Sequence, residues 1–120
     1  MAKDATKVVV YEKPTCSKCR EVKRVLTEKG VDFETVNYIE RPLSAAGLKQ
    51  LLQQAGLKPS EVLRTKEDAY IKYVSGKKLG DDQLLALMAK HPELIQRPIV
   101  VRGNKAVLAR EIEKLSKLNI

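Results

Sequence analysis

The sequence is poor in aromatic residues: four tyrosines, one phenylalanine and no tryptophan among 120 residues, 4% of the chain. Its core must therefore be aliphatic, drawn from Leu, Val, Ile and Ala. The stacking platforms that hold single-stranded nucleic acid are missing as well. No apolar run approaches the roughly 20 residues that cross a bilayer. The opening Met1-Ala2-Lys3-Asp4-Ala5-Thr6-Lys7 carries charge but no apolar stretch of a secretory signal, so a cytoplasmic location is expected, without membrane contact. Repeats, linkers and low-complexity segments are also absent. What remains is 43% hydrophobic and 32% charged, the composition of one soluble globular domain.

The charge is unbalanced but not blocky. Twenty-three Lys and Arg against 15 Asp and Glu leave a net charge of +8, which favours anionic partners in general. The basic residues are interleaved with acidic ones, as in Lys3-Asp4, Glu12-Lys13, Arg20-Glu21 and Glu113-Lys114. No like-charge block of about five or six residues appears. A small oxyanion or an acidic thiol suits this balance as well as nucleic acid does, and a nucleic-acid partner is not expected.

Cysteine is scarce too. The two cysteines both fall in Cys16-Ser17-Lys18-Cys19. A disulfide closing so short a loop removes little chain entropy, and cytosolic proteins seldom use disulfides for structure. The spacing suits either half of a zinc site or a redox pair. Tetrahedral zinc needs four ligands, and the chain offers no further Cys and one His, His91. No metal site is expected, and a redox or nucleophilic pair leads.

Along the chain, Lys7-Val8-Val9-Val10-Tyr11 is a β-branched run that reads as a strand buried on both faces. Glu12-Lys13-Pro14-Thr15 reads as a polar turn. Val22, Val25 and Leu26 then recur at helical spacing up to Gly30, a good residue to end a helix. Cys16 thus falls at the helix N-terminus. Val31 to Tyr38 returns to strand composition, which completes a βαβ unit with parallel strands. From Ser44 to Gln96 there is no convincing strand, so this stretch reads as a helical insert. It contains a helix capped by Ser44, short helices at Pro59–Leu63 and Ala69–Val74, and one opened by Asp81-Asp82 and ended by His91-Pro92. Arg97 to Arg102, the turn Gly103-Asn104, and Lys105 to Leu108 form a hairpin. Glu111 to Leu118 closes as a helix with Ile112, Leu115 and Leu118 on one face. The sum is an α/β fold: βαβ, helices, then ββα.

A thiolate is the nucleophilic form of cysteine, and a helix N-terminus stabilises it through unpaired N–H groups and the dipole. Cys16 holds that position, and Lys13, Lys18 and Arg20 add positive potential. Cys19, one turn on, can reach back to form an internal disulfide. Arg64, Arg97 and Arg110 are separated in sequence but stand where the topology can gather them near the Cys16 loop, and guanidinium forks suit an oxyanion. Taken singly, each arginine reads as a solvated surface charge. His91 reads as a helix-terminal or packing residue, and Tyr70 and Tyr73 as packing residues with one wet end.

Tyr11-Glu12-Lys13-Pro14-Thr15-Cys16, Leu63-Arg64-Thr65-Lys66 and His91-Pro92-Glu93-Leu94-Ile95-Gln96-Arg97-Pro98-Ile99-Val100-Val101 resemble the glutaredoxin-like arsenate reductase family, which also includes the Spx-type transcription regulators. The resemblance spans roughly positions 7 to 118, and His91 to Val101 is its most specific part. It implies a thioredoxin-like fold with a four-stranded mixed sheet, as a single domain with a core at about 7–43 and 97–118 and a helical insert at about 44–96. It further implies a cis peptide at Arg97-Pro98, Cys16 as the thiol that attacks arsenate, and Arg64, Arg97 and Arg110 as oxyanion ligands. No bound cofactor is implied; glutathione with glutaredoxin, or thioredoxin, supplies electrons. The chain departs from the pattern at three points. Cys19 adds a possible resolving thiol. Glu12 replaces a histidine that helps activate the cysteine in some members, and a carboxylate there should raise the thiol pKa. Glu111 stands where proline is usual.

The leading expectation is a cytosolic arsenate-reductase-like oxidoreductase in which Cys16 attacks arsenate or a disulfide, and Cys19 or glutathione completes the reaction. Two alternatives stand beside it. One is a general thiol–disulfide oxidoreductase without arsenate activity. The other is an Spx-like redox-sensing regulator that binds RNA polymerase; such regulators tend to continue with a polar C-terminal stretch, whereas this sequence stops at Ile120.

Overall fold

The structure is a computed structural model that describes residues 7–120. The targeting-signal reading of the first residues falls on positions 1–6, outside the described residues. The chain divides into two compact units: residues 7–37 with 97–120, and Tyr38–Gln96.

The first unit is built on valine. Strand β1, Val8–Glu12, runs parallel to β2, Phe33–Asn37, with Val8 opposite Phe33 and Glu12 opposite Asn37. Between them lies helix α1, Ser17–Glu28. Strand β3, Ile99–Arg102, pairs antiparallel with β1, and β4, Lys105–Leu108, pairs antiparallel with β3. The sheet order is β2-β1-β3-β4. This mixed four-stranded sheet, with its βαβ start and ββ return, is a thioredoxin-like fold of the α/β class.

Strand β1 does not have two equally buried faces. Val8, Val10 and Glu12 are buried, while Val9 and Tyr11 are only half-buried. A run of β-branched residues suits a pleated strand on either face, so composition alone could not separate the two. The buried face packs Val8 and Val10 with Val22 and Leu26 of α1, and the cluster extends to Val100, Val107, Leu115 and Leu118. Gly30, with φ +70°, lets the chain turn sharply after α1. There the Gly30 N–H donates to the Thr27 carbonyl and the Val31 N–H to the Leu26 carbonyl.

The hairpin turns on Gly103 and Asn104, as its sequence predicts. The last segment, Ile112–Leu118, is a 3-10 helix rather than an α-helix. Its apolar residues 112, 115 and 118 recur every third position, which matches the 3-10 repeat of 3.0 residues per turn.

The second unit contains α2, Ala45–Ala55, α3, Asp68–Tyr73, and α4, Asp81–Lys90, with 3-10 turns at Pro59–Val62 and Pro92–Leu94. The Ser44 hydroxyl accepts from the Gly47 N–H at 3.0 Å and caps α2, and Gly56 ends that helix with φ 69°. Leu48, Leu51, Leu52, Leu84, Leu85 and Met88 are buried. Among the described residues of this unit, the β-pairing is one isolated bridge, Leu63 with Ile95. The two ends of the unit are tied to its interior. The Tyr38 hydroxyl donates to the Ile95 carbonyl at 2.7 Å. The Gln96 side chain donates to the Leu63 carbonyl at 3.0 Å, and the Gln96 N–H to the Val62 carbonyl at 2.8 Å. Tyr73 stacks on His91 with centroids 4.4 Å apart, so both are packing residues.

Candidate active site

The loop after β1 delivers Cys16 to the start of α1. Pro14 and Thr15 are exposed in the turn, and the Cys16 N–H closes it on the Lys13 carbonyl at 2.9 Å. Cys16 is the N-cap residue, with φ −80° and ψ 124°, and its carbonyl accepts from the Arg20 N–H at 3.1 Å. Its sulfur makes no cap hydrogen bond of ordinary geometry. The backbone amides of Cys19 and Lys18 are nonetheless near enough to favour a charge on it.

The two thiols are free, and they differ sharply in environment. Cys16 is half-buried and Cys19 fully buried. Desolvation pushes the Cys16 pKa up, but the Cys19 amide, the Cys19 thiol, the Lys18 amide and the Arg97 charge together outweigh it, so the pKa is lowered from the ordinary value. Burial pushes the Cys19 thiol up to about 12, opposed by the Lys13 amide and aided by its bond to Cys16 and by the charges of Cys16 and Glu12. The pair is thus polarised: the surroundings favour a charge on Cys16 over one on Cys19, and the Cys19 thiol donates to Cys16.

The expectation that Glu12 would raise the pKa of the attacking thiol needs correction. The Glu12 charge is felt at Cys19, and the Cys16 pKa is lowered. Nor do nearby lysine side chains supply the charge that helps Cys16. That charge is Arg97, while Lys18 acts through its amide.

Arg97 is not a solvated surface charge; it is 6% exposed. The peptide bond to Pro98 is cis. Arg110 Nη1 donates to the Arg97 carbonyl at 2.8 Å, and the Ala109 N–H donates to the Pro98 carbonyl at 2.9 Å. The end of β4 is thereby tied to the segment that carries Arg97. Cys16, Cys19, Arg97 and Arg110 all belong to the sheet unit. Arg64 belongs to the helical unit, where its N–H donates to the Leu94 carbonyl at 2.7 Å. Its side chain is half-buried, and among the described residues its buried Nε has no hydrogen-bond partner.

Sequence reading missed one pair. Glu12 is the last residue of β1 rather than part of a polar turn, and it is 4% exposed. Lys23 of α1 sits 2.8 Å from its Oε1. The signal was present in the spacing, because Lys23 lies four residues after Cys19 and so on the same helix face. Among the described residues, no group of three or more His, Cys, Asp or Glu side chains could hold a metal ion, and no helix is long and apolar enough to cross a membrane.

The model of the ArsC family matches residues 11–118. The chain belongs to the ArsC family. The arsenate reductase of Neisseria meningitidis serogroup B is 33% identical over 110 residues, covering 90% of this chain and 94% of that protein. The uncharacterized protein YfgD of Escherichia coli K12 is 38% identical over 113 residues, covering 92% of this chain and 95% of that one. Among solved structures, an arsenate reductase from Vibrio cholerae superposes with a TM-score of 0.88 at 39% identity, covering 93% of this chain and 97% of that one. ArsC membership makes this protein an arsenate-reductase-like, thiol-dependent oxidoreductase.

Proposed function

We propose that this ArsC-family protein reduces arsenate in the cytoplasm, as a single domain with no resident metal or organic cofactor. The observation that carries the reading is the polarised thiol pair at the start of α1, with Cys16 favoured as thiolate by helix amides and by Arg97. In this reading the Cys16 thiolate attacks arsenic(V), and a sulfur–arsenic bond replaces an arsenic–oxygen bond. Arg97, Arg110 and Arg64 neutralise the oxyanion. Among the described residues the buried Arg64 Nε has no hydrogen-bond partner, which supports a ligand-binding role for it.

A second thiol then breaks the sulfur–arsenic bond, and arsenic leaves as arsenic(III) with the electron pair. That thiol is Cys19 or glutathione, and thioredoxin or glutaredoxin restores the enzyme. The assay is arsenite production with glutathione and glutaredoxin, then with thioredoxin. Arsenite formed with either partner, and lost in Cys16→Ser, is the expected result. No arsenite with both partners refutes arsenate as the substrate. The buried Cys19 beside Cys16 favours a second reading, a thiol–disulfide reductase, which predicts disulfide turnover in the absence of arsenate activity.

A further inference from the structure

The resolving thiol has a difficulty that the site described so far does not remove. Cys19 is wholly buried, and its neighbours favour the protonated form. A thiol attacks a disulfide sulfur as thiolate, so its proton must go to something already in place. The buried carboxylate of Glu12 is placed to take it.

Three observations converge. Along β1, Val8, Val10 and Glu12 share the buried face. The same face packs Val8 and Val10 with Val22 and Leu26 of α1. Cys19, Val22 and Leu26 form one stripe on that helix, at steps of three and four residues, so the stripe that meets Val10 leads toward Cys19 as the strand reaches Glu12. The Lys23 ammonium, four residues after Cys19, fixes the match at 2.8 Å from Glu12 Oε1. Finally, Lys23 takes up only part of the Glu12 carboxylate, whose two oxygens offer about four lone-pair sites, so the group keeps accepting capacity while the cation neutralises it. A buried ion pair seldom stabilises a fold better than apolar residues would, so its presence beside a redox thiol calls for a functional reason.

We propose that Glu12 is the general base for Cys19, taking its proton as Cys19 attacks, with Lys23, at the edge of solvent, neutralising the carboxylate between turnovers. In the step, Cys19 Sγ attacks Cys16 Sγ of the adduct Cys16–S–X. The Cys16–Cys19 disulfide forms, the S–X bond breaks, and its electron pair leaves with X. The dithiol loses two electrons, X gains them, and the Cys19 proton rests on Glu12. Protonation also removes the Glu12 charge that opposes a thiolate at Cys19, at the moment that sulfur needs it removed.

This rests on Cys19 as the resolving thiol, but not on arsenate. The test therefore uses 5,5′-dithiobis(2-nitrobenzoate) and the reduced full chain under single turnover. The first thionitrobenzoate released reports attack by Cys16, and the second reports its displacement by Cys19. Glu12→Gln should leave the first release at the wild-type rate and slow the second by on the order of 100-fold, the scale of a lost general base. Glu12→Asp, which keeps a carboxylate, should fall between. A merely structural role would slow both releases together. If Glu12→Gln does not fold, Glu12→Leu with Lys23→Met replaces the ion pair by apolar groups and should slow the second release alike. A second release at the wild-type rate in either variant overturns the proposal. A wild type that releases one equivalent only overturns it too, by removing Cys19 as resolving thiol, while leaving arsenate reduction through glutathione intact.

Discussion

Tyr38→Phe removes the hydroxyl that bonds to Ile95. Tyr38 is 1% exposed, and its hydroxyl donates to the Ile95 carbonyl at 2.7 Å across 57 residues of sequence. Phenylalanine keeps the ring, so packing is spared. The loss has two parts. The bond itself contributes a net stabilisation of about 1 kcal/mol, and a buried carbonyl left without its donor can raise the cost to about 1–3 kcal/mol. Ile95 is itself 2% exposed, so water cannot easily replace the donor. A change of about 1–2 kcal/mol is therefore expected. For a chain of this length the average unfolding entropy is about 0.25 kcal/mol/K, so each kcal/mol lowers Tm by about 4 °C. Urea titration followed by far-ultraviolet circular dichroism, with thermal melts in parallel, should show a lower midpoint, an unchanged slope and a Tm drop of about 4–8 °C. A midpoint shift worth less than about 0.3 kcal/mol would show that the carbonyl finds another donor, and that the contact does not tie the ends of the helical unit.

Further outcomes can be checked with the thiols and the core. The rate of Cys16 alkylation by iodoacetamide should follow a midpoint below the ordinary thiol value, and Arg97→Gln should move it upward; a wild-type midpoint at or above 9.0 would contradict the lowered pKa. Cys19 works with the opposite sign. Its folded pKa is raised, so the stability it lends is complete below 9.0 and is lost as pH rises toward about 12. In a reduced Cys16→Ser background the advantage of Cys19 over Cys19→Ala should shrink between pH 8 and pH 10 by up to about 1.4 kcal/mol, the equivalent of one pKa unit. No shrinkage in urea titrations at the two pH values would refute it. Leu26→Ala, at a 0% exposed position between α1 and the sheet, should cost about 2–5 kcal/mol by the same titration, and a loss under about 1 kcal/mol would mean the core closes over the gap.

Strands and turns were legible where one residue type decides the geometry. Gly103-Asn104 set the hairpin, Ser44 the start of α2, and Pro14-Thr15-Cys16 the entry to α1, because caps and tight turns depend on neighbours a few residues away. The helix-terminal position of Cys16 followed from the same local rules, and the order βαβ, helices, ββα followed from stringing the elements together, while the thioredoxin-like reading came from the family resemblance. Burial of charged side chains was not legible. Glu12 read as a turn residue, and Arg97 taken singly as a surface cation, since burial depends on how strands and helices pack and not on the local pattern. The terminal helix was misread because Ile112, Leu115 and Leu118 satisfy both an α and a 3-10 stripe at that length. Contacts decide between the two, and periodicity does not.

The sheet order leaves β2 and β4 as its outer strands, and neither invites another chain to extend it. An exposed strand edge is a template for unwanted pairing, which proteins blunt with short strands and charged side chains. Strand β4 has four residues and begins with exposed Lys105. Strand β2 has five, and its Glu34 and Thr35 are exposed, with Glu34 held by Lys7 at 3.0 Å. A partner strand would have to disturb that ion pair on one side and find only a short rung on the other. The arrangement that puts the valine-rich strands in the middle thus also leaves little backbone for another chain to pair with.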